Sequence, residues 1–173
     1  MPRRARASAV HRMRSGHREL LRGSPRLLCR ATTGMSGAGM RYTRLFNDVE
    51  GGSHFEELSV PFEVRDFAPP TAPVLIAPFL DTAHGFFFRA DPSWAGDVPH
   101  PSPQRQVFCV LAGAVEATTS DGASRILRPG DVVVVDDTEG VGHSTRVVGE
   151  TPLLMFGAAL ADQTPHPGPT ALE

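Results

Sequence analysis

The sequence predicts an all-β domain of antiparallel sandwich or barrel type, and three observations carry that prediction. From residue 41 onward, short runs rich in Val, Ile, Phe and Thr recur at even spacing. Turn chemistry separates them in the second half, at Ala112-Gly113, Ser120-Asp121-Gly122, Pro129-Gly130-Asp131 and Gly149-Glu150. No stretch of this body shows apolar residues at helical spacing with caps; the one weak instance, 18–28, lies in an N-terminal arm.

Taken in order, residues 42–46 read as a first strand, 47–52 as a turn, and 55–62 as a second strand closed by Pro61. The proline-rich stretch 66–73 cannot be helix interior and reads as an extended connector over the surface or across a barrel mouth. Strands follow at 74–76 and 85–90. Residues 91–103 hold four prolines and form a loop that delivers His100 to the next strand. The remaining strands fall at 106–111, 115–120, 125–127, 132–136, 144–148 and 153–159. In 106–111, Gln106, Phe108 and Val110 share one face and Val107, Cys109 and Leu111 the other, so both faces are apolar beyond the first residue. The run 132–135 is apolar on both faces as well. Such strands need cover on each side: a second sheet inside, and the N-terminal strands or a partner subunit outside, which predicts a homodimer.

Composition bounds the class. With 40% hydrophobic and 21% charged residues the chain is an ordinary soluble globular protein, with one domain as the default. Purely apolar runs such as 73–78 and 132–135 fall far short of the roughly 20 residues that span a bilayer, so no membrane segment is expected. The net charge of −2 hides an asymmetry: residues 1–40 hold nine arginines against one acid, Glu19, a formal +8, which leaves −10 on the rest. A basic arm of this kind is compatible with nucleic-acid or membrane-surface binding, and its acid-poor composition also matches a transit peptide. Its glycines and its lack of sustained periodicity favour a disordered extension from an upstream start, with no nucleic-acid or membrane partner. The expected organisation is an arm at 1–40, a β-barrel domain at 41–160 and a flexible tail at 161–173. The two cysteines, Cys29 and Cys109, are then not expected to pair, which fits a reducing cytoplasm.

Two runs carry the chemistry. The first, His100-Pro-Ser-Pro-Gln-Arg-Gln106 continuing to Gly113, and the second, Pro129-Gly-Asp131 continuing to Gly142-His143, resemble the two motifs of the cupin family. In that family a pair of histidines one residue apart is followed by a carboxylate and a glycine turn, and then by a Gly-Asp turn, an apolar strand and a final histidine. The resemblance covers about 42–160 and implies a cupin-type jelly-roll barrel of the small, single-domain, RmlC-like kind. It departs in two ways. The second motif's turn is about two residues longer and lacks the usual proline, and Ser102 and Gln106 stand where the second histidine and the carboxylate belong.

What the resemblance implies is a small-molecule ligand inside the barrel, and in many cupins a divalent metal. His100, Gln106 and His143 are the matched metal positions, with Fe, Mn or Zn as candidates and no organic cofactor. Ser102 and Phe108 are expected to line the substrate pocket. Alternatively His100 and His143 act without metal as general acid and base. Asp97, Asp136 and Asp137 are carboxylates that could swing in, although Asp136-Asp137-Thr138 also reads as a hydrogen-bonded turn at a strand end. Trp94 and residues 86–88 read as core aromatics before pocket wall. An enzyme such as an oxygenase, isomerase or cyclase is the first functional reading. The alternative is a non-catalytic ligand-binding or structural cupin with a degenerate metal site. No Ser-His-Asp order and no Cys-x-x-Cys pair argues for a hydrolase or a zinc finger.

Overall fold

A computed structural model of the chain describes residues 39–94 and 96–161; the arginine-rich arm, the weak helical stretch at 18–28, Cys29 and the tail beyond 161 lie outside them. The described residues form eleven strands. They are β1 (Met40–Asn47), β2 (Ser53–Val60), β3 (Glu63–Arg65), β4 (Val74–Ile76), β5 (Thr82–Ala90) and β6 (Gln106–Ala112). They continue with β7 (Val115–Thr119), β8 (Ser124–Leu127), β9 (Val132–Asp136), β10 (His143–Val147) and β11 (Leu153–Leu160). No helix occurs among the described residues, so none is long and apolar enough to cross a membrane. The all-β class stands, and every expected strand is present. β3 is an addition, three exposed residues paired with β4, too short and too polar to give a periodic signal.

A six-stranded sheet runs in the order β2-β1-β9-β6-β11-β5, and a three-stranded sheet in the order β10-β7-β8. All pairs are antiparallel except β1 with β9, where Thr43–Phe46 run alongside Val133–Asp136. The valine run of β9 shows how alternation divides the interior. Val133 and Val135 join Val110, Leu153 and Met155 of the large sheet with Val115, Leu127 and Val147 of the small one, so one cluster lies between the sheets. Val132 and Val134 point the other way, into a cluster with Tyr42, Leu58, Val60 and Leu160 on the outer face.

The outer face does have cover, of a kind the sequence did not suggest. β1 and β2 extend the large sheet and do not layer over it. The segment between β4 and β5 folds across instead, with Ala77, Phe79 and Leu80 packed on the outer cluster and the Phe79 ring edge-on to Tyr42 at 4.7 Å between centroids. That cover is partial: Phe87, Leu111 and Phe156 stay exposed.

Candidate functional site

The two sheets do not close completely on each other. Between them lies a cavity of about 410 Å³, within the ordinary range for small-molecule sites. Its walls come from alternate residues of the strands, with Val133, Val135, Leu153 and Met155 on one side and Val115, Ala117 and Leu127 on the other. Phe86, Phe88, Phe108 and Trp94 add an aromatic arc, in which Phe88 meets Trp94 at 5.7 Å and Phe108 at 6.2 Å, both edge to face. Phe86 and Phe88 are thus wall residues, while Phe87 between them faces outward.

Polar groups converge at one end. His100, Ser102, Gln106, His143 and Thr145 line it, and among the described residues no Arg, Asp or Glu does. Backbone pairing builds this end. His100 and His143 exchange both of their backbone N–H···O bonds, at 2.9 and 3.0 Å, and Ser102 N–H donates to the Asp137 carbonyl at 2.9 Å. The loop before β6 is thereby stitched to the turn that leads into β10. Gly142 makes the stitch feasible: its φ is +72°, and a Cβ there would sit 2.1 Å from the His100 carbonyl.

The ring nitrogens of the two histidines are committed on one side. His100 Nδ1 lies 2.8 Å from the Val98 carbonyl and His143 Nδ1 lies 2.7 Å from Asp137 Oδ2. Both partners can only accept, so each Nδ1 carries the proton, and in the neutral ring Nε2 keeps a lone pair. The ring centroids are 5.3 Å apart. His100 is exposed at the mouth, whereas His143 is buried and Asp137 wholly so. Gln106 donates from Nε2 to Ser102 Oγ at 2.9 Å, and Ser102 Oγ–H donates to the Gln104 carbonyl at 2.7 Å.

His100, Ser102, Gln106, Phe108 and His143 therefore all reach one cavity. The three carboxylates fare differently. Asp136 is held by Arg44, at 2.6 Å, and by Arg105, outside the cavity. Asp97 is exposed in its loop. Asp137, one of the three candidate carboxylates and equally readable as a turn residue in Asp-Asp-Thr, sits behind His143 and does not line the cavity. Its Oδ1 is buried without a hydrogen-bond partner, so Oδ2 on His143 is its one polar contact among the described residues.

A divalent cation would meet two imidazoles and an amide oxygen here. Ligand number suits it and charge does not, since all three donors are neutral. Among the described residues no group of three or more His, Cys, Asp or Glu is placed to hold a metal ion.

A second concavity of about 430 Å³ lies on the outer face, lined by Met40, Phe62, Phe79, Cys109 and Phe156 among others. It has no comparable convergence of polar groups, and the inter-sheet cavity is the better candidate on that ground.

Residues 86–158 match the family model described as Cupin domain. This chain carries a cupin domain. The match begins inside β5 and ends inside β11, so it contains both histidines and all four rings of the aromatic arc. Two solved structures are similar to the chain. One is a protein provisionally named ethanolamine utilization protein Q from Salmonella typhimurium LT2, 18% identical over 72% of this chain and 98% of that one, with a TM-score of 0.31. The other is a protein provisionally named mannose-6-phosphate isomerase from Ralstonia eutropha JMP134, 19% identical over 72% of this chain and 89% of that one, with a TM-score of 0.27. No curated protein sequence is significantly similar to this cupin.

Proposed function

We propose that this cupin binds a small organic molecule between its sheets, with the molecule's polar end against His100 and His143, and that His143 acts there as a general base. One observation carries the reading: both imidazoles are fixed through Nδ1 at the single polar end of an otherwise apolar cavity. His143 Nε2 takes a proton from the bound molecule, and Asp137 orients the ring and offsets the positive charge that forms. The His143 imidazolium so formed can return the same proton elsewhere on the molecule, while His100, held by the Val98 carbonyl, offers its Nε2 lone pair as a second hydrogen-bond acceptor. Isomerisation and cyclisation are reactions of this kind. A binding protein without turnover would use the same cavity and the same fixed rings. Cytoplasmic location and a homodimer belong to this reading as they did to the sequence.

A second reading has its own support. Metal-bound histidines commonly engage the other ring nitrogen with a carboxylate or a carbonyl, as both do here. His100, Gln106 and His143 would then hold Fe, Mn or Zn, which would supply Lewis-acid or oxygen chemistry, with Asp137 offsetting charge through His143. Metal content of protein purified without chelator, compared with His143→Ala, distinguishes the two readings.

The cavity itself is tested with N-phenyl-1-naphthylamine, a neutral apolar fluorophore. Saturable one-to-one enhancement is expected, with energy transfer from Trp94, the only tryptophan. Ala117→Phe, which fills the cavity from β7, should abolish it, and Phe156→Ala in the outer groove should not. A signal that survives Ala117→Phe would sink the proposal.

A further inference from the structure

The polar end of the cavity is one-sided in its hydrogen-bonding capacity. The Ser102 hydroxyl proton is spent on the Gln104 carbonyl, and one Gln106 amide hydrogen is spent on Ser102 Oγ. Both histidine Nδ1 protons are spent on Val98 and Asp137. What these groups still offer inward is chiefly lone pairs: two imidazole Nε2 atoms and the Gln106 amide oxygen. Against them stand only the second Gln106 amide hydrogen and the Thr145 hydroxyl, which can turn either way. A bound molecule must therefore bring hydrogen to this end.

Charge narrows the class further. Among the described residues no cationic side chain lines the cavity, and the chain has no lysine at all, so a carboxylate or phosphate would lose its hydration with no counter-charge from this wall. No carboxylate lines it either, because Asp137 stands behind His143 and is already hydrogen-bonded to it, so a full cation fares little better. The remaining wall is aliphatic with an arc of four aromatic rings, and an area of that kind favours a flat apolar body.

We infer that the ligand of this cavity is a neutral aromatic molecule carrying one hydrogen-bond-donating group, a phenol-type hydroxyl or an N–H, which docks on the His100–His143–Gln106 end. This rests on the cavity being the binding site, as proposed above. The body lies against Phe86, Phe88, Trp94 and Phe108, and the donor is shared between the imidazole nitrogens.

Calorimetric titration of the full chain at pH 7.5 with four matched naphthalenes tests it: 2-naphthol, 2-methoxynaphthalene, 2-naphthoate and 2-naphthylmethylammonium. Naphthol should bind about tenfold more tightly than its methyl ether, the worth of roughly one net hydrogen bond, and that gap should close in Gln106→Leu combined with His143→Phe. Both charged analogues should bind at least about a hundredfold more weakly than naphthol. Equal binding of naphthol and its ether, or preference for either ion, overturns the assigned class while leaving the cavity as a binding site. Failure of all four to bind overturns the class and the cavity reading together.

Discussion

At the scale of single residues, the pair that matters most is Asp137 with His143. A wholly buried carboxylate whose one hydrogen bond goes to a buried imidazole is costly to leave alone. His143→Ala and Asp137→Ala should each lower stability by about 3 kcal/mol, and the double variant by less than their sum by more than about 1 kcal/mol, read from urea melts. Additive losses would mean that the two side chains do not act as a unit. Gln106→Glu probes the other half of the site. Without metal it buries an anion beside Ser102 and should cost about 1–3 kcal/mol at neutral pH, seen as a lower melting temperature. Added Fe²⁺, Mn²⁺ or Zn²⁺ should restore it if the cavity can hold a cation. Loss that no metal relieves, together with a metal-free wild type, leaves the acid–base and binding readings. The sequence pointed to His100, Gln106 and His143 through the resemblance of two runs to the cupin motifs, in which these residues fall at the matched positions. It was silent about which of two adjacent aspartates turns inward, because alternation is lost where a strand gives way to a turn. Phe86-Phe-Phe88 and Trp94 read from the sequence as core aromatics before pocket wall, whereas 86, 88 and 94 line the cavity and 87 faces outward.

Among the elements, two turns are tied together by His54. Its Nε2 lies 2.8 Å from Asp48 in the β1–β2 turn, and its Nδ1 lies 2.8 Å from Asp121 in the β7–β8 turn. Carboxylates only accept, so both bonds form together only on the doubly protonated ring. The Asp48 and Asp121 hydrogen bonds accordingly raise the His54 pKa above 6.5. Asp121 is pulled down to about 2, chiefly by the Thr119 hydroxyl and the Ala123 N–H and then by His54, and Asp48 is lowered mainly by His54. A raised histidine contributes its stability below 6.5 and loses it as pH rises through its folded value, whereas the lowered aspartates contribute above 3.8 and lose it as pH falls. The melting-temperature gap between wild type and His54→Gln should therefore be widest between about pH 4 and 6.5 and shrink on either side. A gap that does not change with pH would remove the ionic bridge from the account. Next to His54, the buried Ser53 hydroxyl donates to the Gly142 carbonyl at 2.6 Å, so the bridge supports the turn that carries His143. None of this was legible beforehand. His54 belongs to neither motif, and its two partners lie 6 and 67 residues away. Strands were legible to within three residues, and the largest discrepancy, the early start of β5 at Thr82, falls in a fully exposed stretch whose Thr-Ala-His-Gly sequence carries no apolar alternation.

At the scale of the whole molecule, the described residues cover the outer face of the large sheet only in part. Phe87 is 72% exposed, Leu111 47% and Phe156 40%, and the Phe87 and Phe156 rings touch at 5.5 Å to make one patch beside the edge strand β5. A second copy presenting the same patch about a two-fold axis would cover both at once. Sedimentation at micromolar concentration should show a dimer, and Phe87→Asp should shift it to monomer; a monomeric wild type would defeat the expectation. The strand order holds one more consequence. β1 is inserted between β2 and β9, and its parallel partner lies some 90 positions further along the chain. The β1–β2 hairpin can form as soon as it is made, but β9 has no neighbour on that side until the hairpin docks against it. Loop-closure entropy is spent in full before that docking returns any contact, which makes it a slow step. Leu45 of β1 is part of the cavity wall. During biosynthesis, then, the inter-sheet cavity cannot be complete before that docking, and a molecule that fits it could stabilise only a chain whose hairpin is already in place.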